Sequence, residues 1–429
     1  MPLQNSLTNG CYKIDDFFQQ NNFRIPFYQR PYEWTRDNMF DLLGDIEETL
    51  DKNSPYRYRL GSIILQKKGY NYDIVDGQQR LVSLSLLYFY IHARNPQFTL
   101  PPFVRNCLFD SVRSKDNIRS NYQLIRAQLA SYSENKLKKV LNAFKEKLEI
   151  VVLVVNNERE AFQLFDSQNA RGKELNPHDL LKAYHLRAMR GDEILIPYAV
   201  DKWEKQQKGD IRKLFEEYLF PILRWTQQKK VYKEKSNNFT QDDIVHYKGV
   251  DANSPYSYGK RVIKAMPVFQ ITESFVAGND FFEMVSYYLH LQKYIENKCL
   301  QFREKFVQER AENPYSPLSD YLFCCGLLAY YDRFKDLSEE AITKIFIWAY
   351  SLRLDMKHLG PRTIDKYAIG EPSSSDGNSY ANTGVPLFAL IKQARKPADI
   401  IKIPLKIKAN NNRPALTRIL QLCNGERHD

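Results

Sequence analysis

The residues best suited to chemistry lie together at positions 76–80, where the sequence reads Asp-Gly-Gln-Gln-Arg. An apolar stretch precedes them and a helical pattern follows, so they lie where a strand leads into a helix. The first N–H groups of a helix have no partner within it and carry the positive end of the helix dipole, which favours a bound phosphate. With one carboxylate, two amides and one permanent cation in a single turn, this segment predicts phosphate or nucleotide chemistry.

Each side chain of this turn suggests a role in such chemistry. Asp76 can hold a divalent cation such as Mg²⁺ between phosphate oxygens, and Gln78 or Gln79 can orient an attacking water. Arg80 can stabilise charge on a transferred phosphoryl group, and Gly77 lets a phosphate approach the backbone closely. We therefore expect Asp76, Gln78, Gln79 and Arg80 to form a catalytic group.

The same turn also has a purely structural interpretation. Asp76 and Gln79 have the spacing of a capping box, in which both side chains bond only to the first turn of the helix and no ligand is needed. Arg80 can likewise form a salt bridge with a core carboxylate such as Asp73. The local sequence fits both interpretations.

A second segment of polar and aromatic residues precedes this turn in the chain. Pro26 and Pro31 favour an extended backbone over residues 24–34, so that alternate side chains point the same way. The rings can stack on a base and the arginine can bind phosphate, whereas core packing and stacking of the arginine on the tryptophan are the structural alternatives. The residues concerned are Tyr28, Gln29, Arg30, Tyr32 and Trp34.

A third segment, residues 165–182, joins two predicted helices. Asn169 suits the end of the first helix and Pro177 suits the start of the second. Asn169, Arg171 and Lys182 can complete a polar site, although Asn169 also fits plain helix termination.

A small sheet flanked by helices must position these segments. Thr35 can cap one helix, residues 79–93 form a second, and the pattern becomes mainly helical from about residue 116. The expected fold class is therefore α+β, with a mixed core at the N-terminus followed by a mainly α-helical C-terminal domain. Strands are predicted over residues 59–66, 70–75 and 149–156.

Together the three segments resemble the signature of the S half of GmrSD-type modification-dependent restriction systems. The pattern is Ile-Pro-x-Tyr-Gln-Arg-x-Tyr-x-Trp, then Val-Asp-Gly-Gln-Gln-Arg-Leu, then Asn-x-Arg-Gly-x-x-Leu-x-x-x-Asp-Leu-x-Lys, in this order within residues 12–187. The resemblance implies a ParB- or sulfiredoxin-like core that binds and hydrolyses nucleoside triphosphates. It also implies sensing of modified DNA, usually phage DNA, in bacterial defence.

The resemblance supports a nucleotide site that draws on all three segments. The catalytic residues expected are those of the Asp76–Arg80 turn, with Asp76 as the ligand of Mg²⁺. Tyr32 and Trp34 are expected to stack on bases. The nucleotide-binding residues expected are Tyr28, Gln29, Arg30, Gly77, Asn169, Arg171 and Lys182.

Composition favours a cytoplasmic protein with a polyanionic partner. The 62 Lys and Arg residues against 51 Asp and Glu residues give a net charge of +11, which favours DNA. The six cysteines form no Cys-x-x-Cys pair, so neither a zinc ribbon nor a disulfide framework is indicated. No apolar run is long enough to span a membrane, and we expect no secretion signal. The sequence contains no Gly-x-x-x-x-Gly-Lys-Ser/Thr motif, so a P-loop is not indicated.

The segment from Lys392 to Arg418 is strongly basic, with Asp399 as its single acid. Contacts with DNA phosphates would explain this bias, since each neutralised phosphate releases counterions. A solvated basic face is the alternative. The residues expected to contact DNA are Lys402, Lys406, Lys408 and Arg413.

We expect a nucleotide-binding domain over residues 1–225, a linker over 226–257 and a helical domain over 258–429. The linker is placed on its polar and charged composition. Relatives in the resembled family often carry an HNH nuclease, but residues 258–429 show no such motif, so a separately encoded nuclease is expected as partner. Amphipathic helices, whose aromatic stripes are typical of core packing, are predicted over 278–310, 317–335 and 338–356.

Two functions fit these observations. In the first, the protein hydrolyses a nucleoside triphosphate, senses modified DNA and controls a separate nuclease in anti-phage defence. In the second, it is a non-catalytic nucleic-acid or protein-binding module in which the Asp-Gly-Gln-Gln-Arg turn is only a helix cap.

Overall fold

In the computed structural model the chain forms two compact units, Met1–Leu175 and Asn176–Asp429. This division falls before the linker predicted over residues 226–257. The residues that the structure describes are 7–19, 23–26, 29, 31–51, 57–95, 100–101, 103, 112–156, 160, 176–189, 194–232, 239–251, 269–310, 316–356, 358–372 and 380–425.

The first unit is built on a mixed sheet of five strands among its described residues, in the order β1-β5-β3-β4-β2. The central strand, β3, is parallel to β5 on one side and antiparallel to β4 on the other. The three predicted strands are confirmed with slightly different ends. The strands are β1 (Gly10–Lys13), β2 (Phe23–Arg24), β3 (Tyr58–Lys68), β4 (Asn71–Asp76) and β5 (Leu148–Val155).

Helices of the first unit share one buried core with the sheet. Ile63, Leu65 and Ile74 alternate along β3 and β4 and lie in the same cluster as apolar residues of the helices, as expected for the covered face of a sheet. Thr35 precedes one helix, and its N–H donates to Asn38 Oδ1 at 3.1 Å. The helices are α1 (Ile14–Phe18), α2 (Arg36–Asp51), α3 (Gln78–Arg94), α4 (Val112–Leu129) and α5 (Glu134–Glu146).

The second unit is mainly helical in its described residues, so the α+β class and the helical C-terminal half are confirmed. A short π-helical stretch, Leu214–Leu219, joins two of its helices directly. The helices are α6 (Pro177–Ala188), α7 (Leu195–Glu204), α8 (Lys208–Lys213), α9 (Phe220–Thr226), α10 (Asn279–Arg310), α11 (Pro317–Phe334), α12 (Glu339–Asp355), α13 (Pro361–Ala368), α14 (Leu387–Gln393), α15 (Ala398–Ile401) and α16 (Pro414–Cys423).

Part of the predicted linker packs into this second unit. A 3₁₀ helix covers Gln241–Tyr247, and Tyr247 is buried. His185 on α6 donates from Nε2 to the Tyr247 carbonyl at 2.8 Å and accepts at Nδ1 from the Gly278 N–H at 3.1 Å. Burial lowers the pKa of His185 to about 3, so this histidine is a neutral packing residue.

Across the described residues, no helix combines the length and the apolar character that crossing a bilayer requires.

Candidate functional site

The Asp-Gly-Gln-Gln-Arg turn lies where β4 ends and α3 begins. Gly77 is the N-cap of α3 in the left-handed region, with φ 89° and ψ 4°, and as a glycine it makes no side-chain cap bond. The N-cap is thus Gly77 and not Asp76, and the Gln79 amide bonds to the backbone of Pro31 and Glu33, so the capping-box interpretation of Asp76 and Gln79 is wrong. A Cβ at Gly77 would lie 2.8 Å from Ile63 Cγ1, so both conformation and space require glycine. Because the N-cap residue has no side chain, it leaves room beside the first N–H groups of α3, which is where a phosphate would bind.

A β-bulge precedes this turn. Asp76 pairs with Ile64 and Ile74 pairs with Leu65, so that Val75 is an extra residue in β4. Gln29 Nε2 donates to the carbonyls of Ile74 at 2.9 Å and Val75 at 2.6 Å. Gln29, expected to contact a nucleotide, instead uses its amide nitrogen to hold the strand end.

Gln79 connects residues 31–34 to α3 through hydrogen bonds. Its Oε1 accepts from the N–H groups of Glu33 at 2.7 Å and Trp34 at 3.2 Å, and its Nε2 donates to the Pro31 carbonyl at 3.1 Å. The side chain is buried. These bonds occupy both ends of the amide, so the expected role of Gln79 in orienting water does not fit, and we describe it as a positioning residue.

Arg80 packs against the backbone of β3. Its Nη1 donates to the Ser62 carbonyl at 3.2 Å, and a Cβ at Gly61 would lie 2.9 Å from its Cζ. Burial lowers the pKa of Arg80, and the nearby carboxylate of Asp76 acts in the opposite direction. The alternative salt bridge to Asp73 is wrong, because Asp73 pairs with Lys68. A cation and a carboxylate that attract each other thus belong to the same turn at the end of the strand.

Gln78 is the glutamine of the turn whose side-chain oxygen remains available to a ligand. The residue is 4% exposed, and its Oε1 has no hydrogen-bond partner among the described residues. An unpaired buried amide oxygen costs about 1 to 3 kcal/mol. A ligand or water that donates to this oxygen would remove that cost.

The two aromatic residues expected to stack on bases lie in different environments. Tyr32 is fully buried, and its hydroxyl bonds to Ser83 Oγ at 2.7 Å and to Asn121 Nδ2 at 2.9 Å. A base cannot reach this ring, so the core alternative holds for Tyr32. Trp34 is partly buried against the core of the first unit.

The remaining expected nucleotide contacts fall outside the described residues or in the second unit. Tyr28, Arg30, Asn169 and Arg171 lie outside the residues that the structure describes. Lys182 belongs to α6 of the second unit, where it is 3% exposed and forms an ion pair with Glu204.

The donor set of the turn fits Mg²⁺ only as an ion shared with a phosphate. Asp76 supplies one carboxylate, and the described residues contain no group of three or more His, Cys, Asp or Glu side chains able to hold a metal. Mg²⁺ is commonly held by one or two carboxylates together with substrate phosphates and water. Asp76 alone is consistent with that mode.

The basic segment forms an extended edge of the second unit. Lys402, Lys406 and Lys408 are exposed while Leu405 is buried. The Lys406 N–H donates to Asn382 Oδ1 at 2.8 Å, and Asn382 Nδ2 donates to the Lys406 carbonyl at 3.0 Å. The backbone is thus held while the lysine side chains face solvent.

Arg413 adds to this charge from the end of the segment. It is half-buried and lies near Arg353, whose pKa is lowered by burial and then by the charge of Arg413. Two neighbouring guanidinium groups attract an anion that can neutralise both.

Comparison with known families divides the chain in a similar way. Residues 14–186, which include the β4–α3 turn, match the model of the GmrSD restriction endonuclease N-terminal domain. This match supports a GmrSD-type restriction system, and a restriction-type domain implies interaction with DNA. Residues 196–417, more than half of the chain, match the model of a family of unknown function, DUF7834, and the chain belongs to that family. No curated protein matches the chain.

Proposed function

We propose that this protein is the nucleotide-hydrolysing, DNA-sensing component of an anti-phage restriction system and acts with a separately encoded nuclease. The observation that carries the proposal is the start of α3, where the N-cap is a left-handed glycine, Gly77, preceded by the carboxylate of Asp76 and followed by the partly buried arginine Arg80. The match of residues 14–186 to a restriction endonuclease domain supports the biological setting.

The chemistry of the turn suits phosphoryl transfer to water. Backbone N–H groups at the start of α3 bind phosphate oxygens, and Arg80 neutralises charge that develops as the terminal phosphoryl group leaves. Asp76 would hold Mg²⁺, which neutralises the phosphates when bound. The unpaired Oε1 of Gln78 accepts a hydrogen bond from the attacking water and orients it. Water forms the new P–O bond, the bond to the bridging oxygen breaks, the proton of the water passes to solvent, and phosphate and nucleoside diphosphate leave.

The first test is phosphate release from common nucleoside triphosphates with Mg²⁺, for the wild type and Asp76→Asn. We expect release by Asp76→Asn to fall on the order of 10²-fold or more, because the amide cannot neutralise a cation. Asp41→Asn, which replaces an exposed aspartate on α2, is the matched control. Equally low release by the wild type and Asp76→Asn would contradict hydrolysis and favour the non-catalytic binding module.

The second test concerns the basic edge. We expect the double variant Lys406→Ala, Lys408→Ala to bind duplex DNA more weakly and to reduce the salt slope of log K by about 2, or about 0.9 for each lost phosphate contact. Lys138→Ala with Lys139→Ala removes the same charge from exposed positions of α5 and serves as the control. Identical salt slopes for the edge variant and the wild type would favour a solvated face. Stimulation of phosphate release by DNA would connect the two activities.

A further inference from the structure

The second unit carries a groove of about 630 Å³ that three helices line with tyrosines. Tyr287 and Tyr294 lie seven residues apart on α10, so they share one face of that helix. Tyr198 comes from α7 and Tyr331 from α11. The aromatic stripe of α10 was expected to be core, but this part of it faces a groove.

Two of these rings are largely exposed. Tyr198 is 60% exposed and Tyr294 is 45% exposed, whereas Tyr288 on the same helix is fully buried. A tyrosine ring offers a large and rigid contact area at a low cost in conformational entropy. Several such rings along one groove provide a surface on which flat ligands can stack.

A lysine accompanies each of the two exposed rings. Lys202 Nζ lies 5.9 Å from the centroid of the Tyr198 ring, and Lys298 Nζ lies 5.6 Å from the centroid of the Tyr294 ring. Stacking surfaces combined with cations are the features that bind unpaired nucleic-acid strands, because the rings take the bases and the cations take the phosphates.

A third lysine lies near the other two tyrosine rings of the groove. Lys335 Nζ lies 5.4 Å from the centroid of the Tyr287 ring and 5.6 Å from that of the Tyr331 ring. It also donates to the Tyr287 hydroxyl at 3.1 Å and pairs with Asp332 at 3.5 Å. A ligand that is itself a cation would meet a lysine at all four rings, which disfavours a cationic occupant.

Polar groups between the tyrosines can bond to the edge of a base. His290 Nδ1 donates to the Ser286 carbonyl at 2.6 Å, since a carbonyl oxygen only accepts. The Nε2 of a neutral His290 is then an acceptor. Glu283, which also lines the groove, accepts from Asn279 Nδ2 at 2.7 Å and retains further acceptor capacity. Acceptors of this kind suit the N–H groups on a base.

We propose that this groove binds unpaired bases of a DNA strand. Rings from α7, α10 and α11 stack on the bases, and the adjacent lysines neutralise the phosphates. The inference rests on the DNA-sensing part of the proposed function and deepens it by naming the form of DNA that is bound. It does not require nucleotide hydrolysis.

The test measures binding of a short fluorescent oligothymidine strand to the full chain without nucleoside triphosphate. We expect Tyr198→Ala and Tyr294→Ala each to weaken binding roughly 5- to 150-fold, which corresponds to one stacked base. Tyr294→Trp keeps a stacking surface and should retain binding. Tyr70→Ala, at a turn position that is 90% exposed in the first unit, is the control for loss of an exposed tyrosine.

Three further ligands separate this inference from general attraction to charge. An abasic strand of equal length keeps the phosphates but should bind much more weakly than oligothymidine, and duplex DNA should bind with an affinity that the tyrosine variants leave unchanged. The inference would be overturned if the abasic strand bound as tightly as oligothymidine, or if the tyrosine variants bound oligothymidine as tightly as the wild type. Either result would leave DNA sensing through the basic edge intact. Tighter binding of an oligouridine RNA strand would overturn the assignment to DNA. Failure of the wild type to bind any DNA would count against the proposed function itself.

Discussion

Replacing Arg80 by alanine is expected to lower phosphate release about 10³-fold, the size of effect associated with a single arginine that stabilises phosphoryl transfer. Arg80 is the cation that the structure holds beside Asp76, with its guanidinium bonded to the Ser62 carbonyl at 3.2 Å. The bond to the Ser62 carbonyl holds the side chain, so little ordering is needed during the reaction. Phosphate release under saturating nucleotide and Mg²⁺ measures the effect.

Two further variants test whether phosphate release depends on the position of the Arg80 charge or only on its presence. Arg80→Lys keeps a cation but loses the planar fork, and we expect only partial activity. Gly61→Ala leaves Arg80 intact but introduces a Cβ 2.9 Å from the guanidinium carbon, at a residue with φ 118°. We expect this variant to displace the guanidinium and to reduce phosphate release as well. Normal release by Arg80→Ala would exclude Arg80 from the reaction, and an unchanged urea midpoint would show that a loss of release is not unfolding.

Replacing Gln79 by alanine is expected to destabilise the first unit by about 2 to 4 kcal/mol, since three hydrogen bonds are lost and their backbone partners remain partly buried. These bonds join α3 to Pro31, Glu33 and Trp34. Urea unfolding of the purified variant measures the change as a lower midpoint. Phosphate release should fall too, because the start of α3 loses its support.

A second substitution at Gln79 tests which of its atoms matters. Gln79→Glu keeps an acceptor for the Glu33 and Trp34 N–H groups but places a buried carboxylate oxygen against the Pro31 carbonyl, so at neutral pH we expect a loss of stability at least as large as that of Gln79→Ala. Gln128→Ala removes an exposed glutamine from α4 and should leave the midpoint unchanged. If Gln79→Ala unfolds at the same urea concentration as the wild type, the three hydrogen bonds of Gln79 contribute nothing to stability.

Local patterns predicted the elements of the first unit well. The strands over 59–66, 70–75 and 149–156 could be recognised because apolar β-type residues are bounded by turn residues. The partners of Gln79 could not be predicted in this way, since Glu33 lies 46 residues earlier in the chain. Spacing alone therefore suggested a capping box, and only the fold shows that the amide bonds to another segment.

The second unit shows a different limit of sequence patterns. Helical periodicity predicted α10, α11 and α12 but could not distinguish a face covered by neighbouring helices from one that borders a groove. Tyr288 and Tyr294 belong to the same pattern, yet one is fully buried and the other is 45% exposed. Polar composition likewise suggested a linker over 226–257, whereas Tyr247 within it is buried and bonds to His185. Packing partners distant in sequence decide both cases.

The amides of Gln29 and Gln79 both bond to main-chain atoms. Every amino acid supplies a main-chain carbonyl, and every residue except proline supplies an N–H, so these bonds do not depend on the side chain at position 33 or 34. Asparagine at either glutamine position would be one methylene too short to reach them. The side chains at positions 33 and 34 can therefore vary without loss of these bonds, so substitutions there can change the surface beside the β4–α3 turn while the turn keeps its geometry.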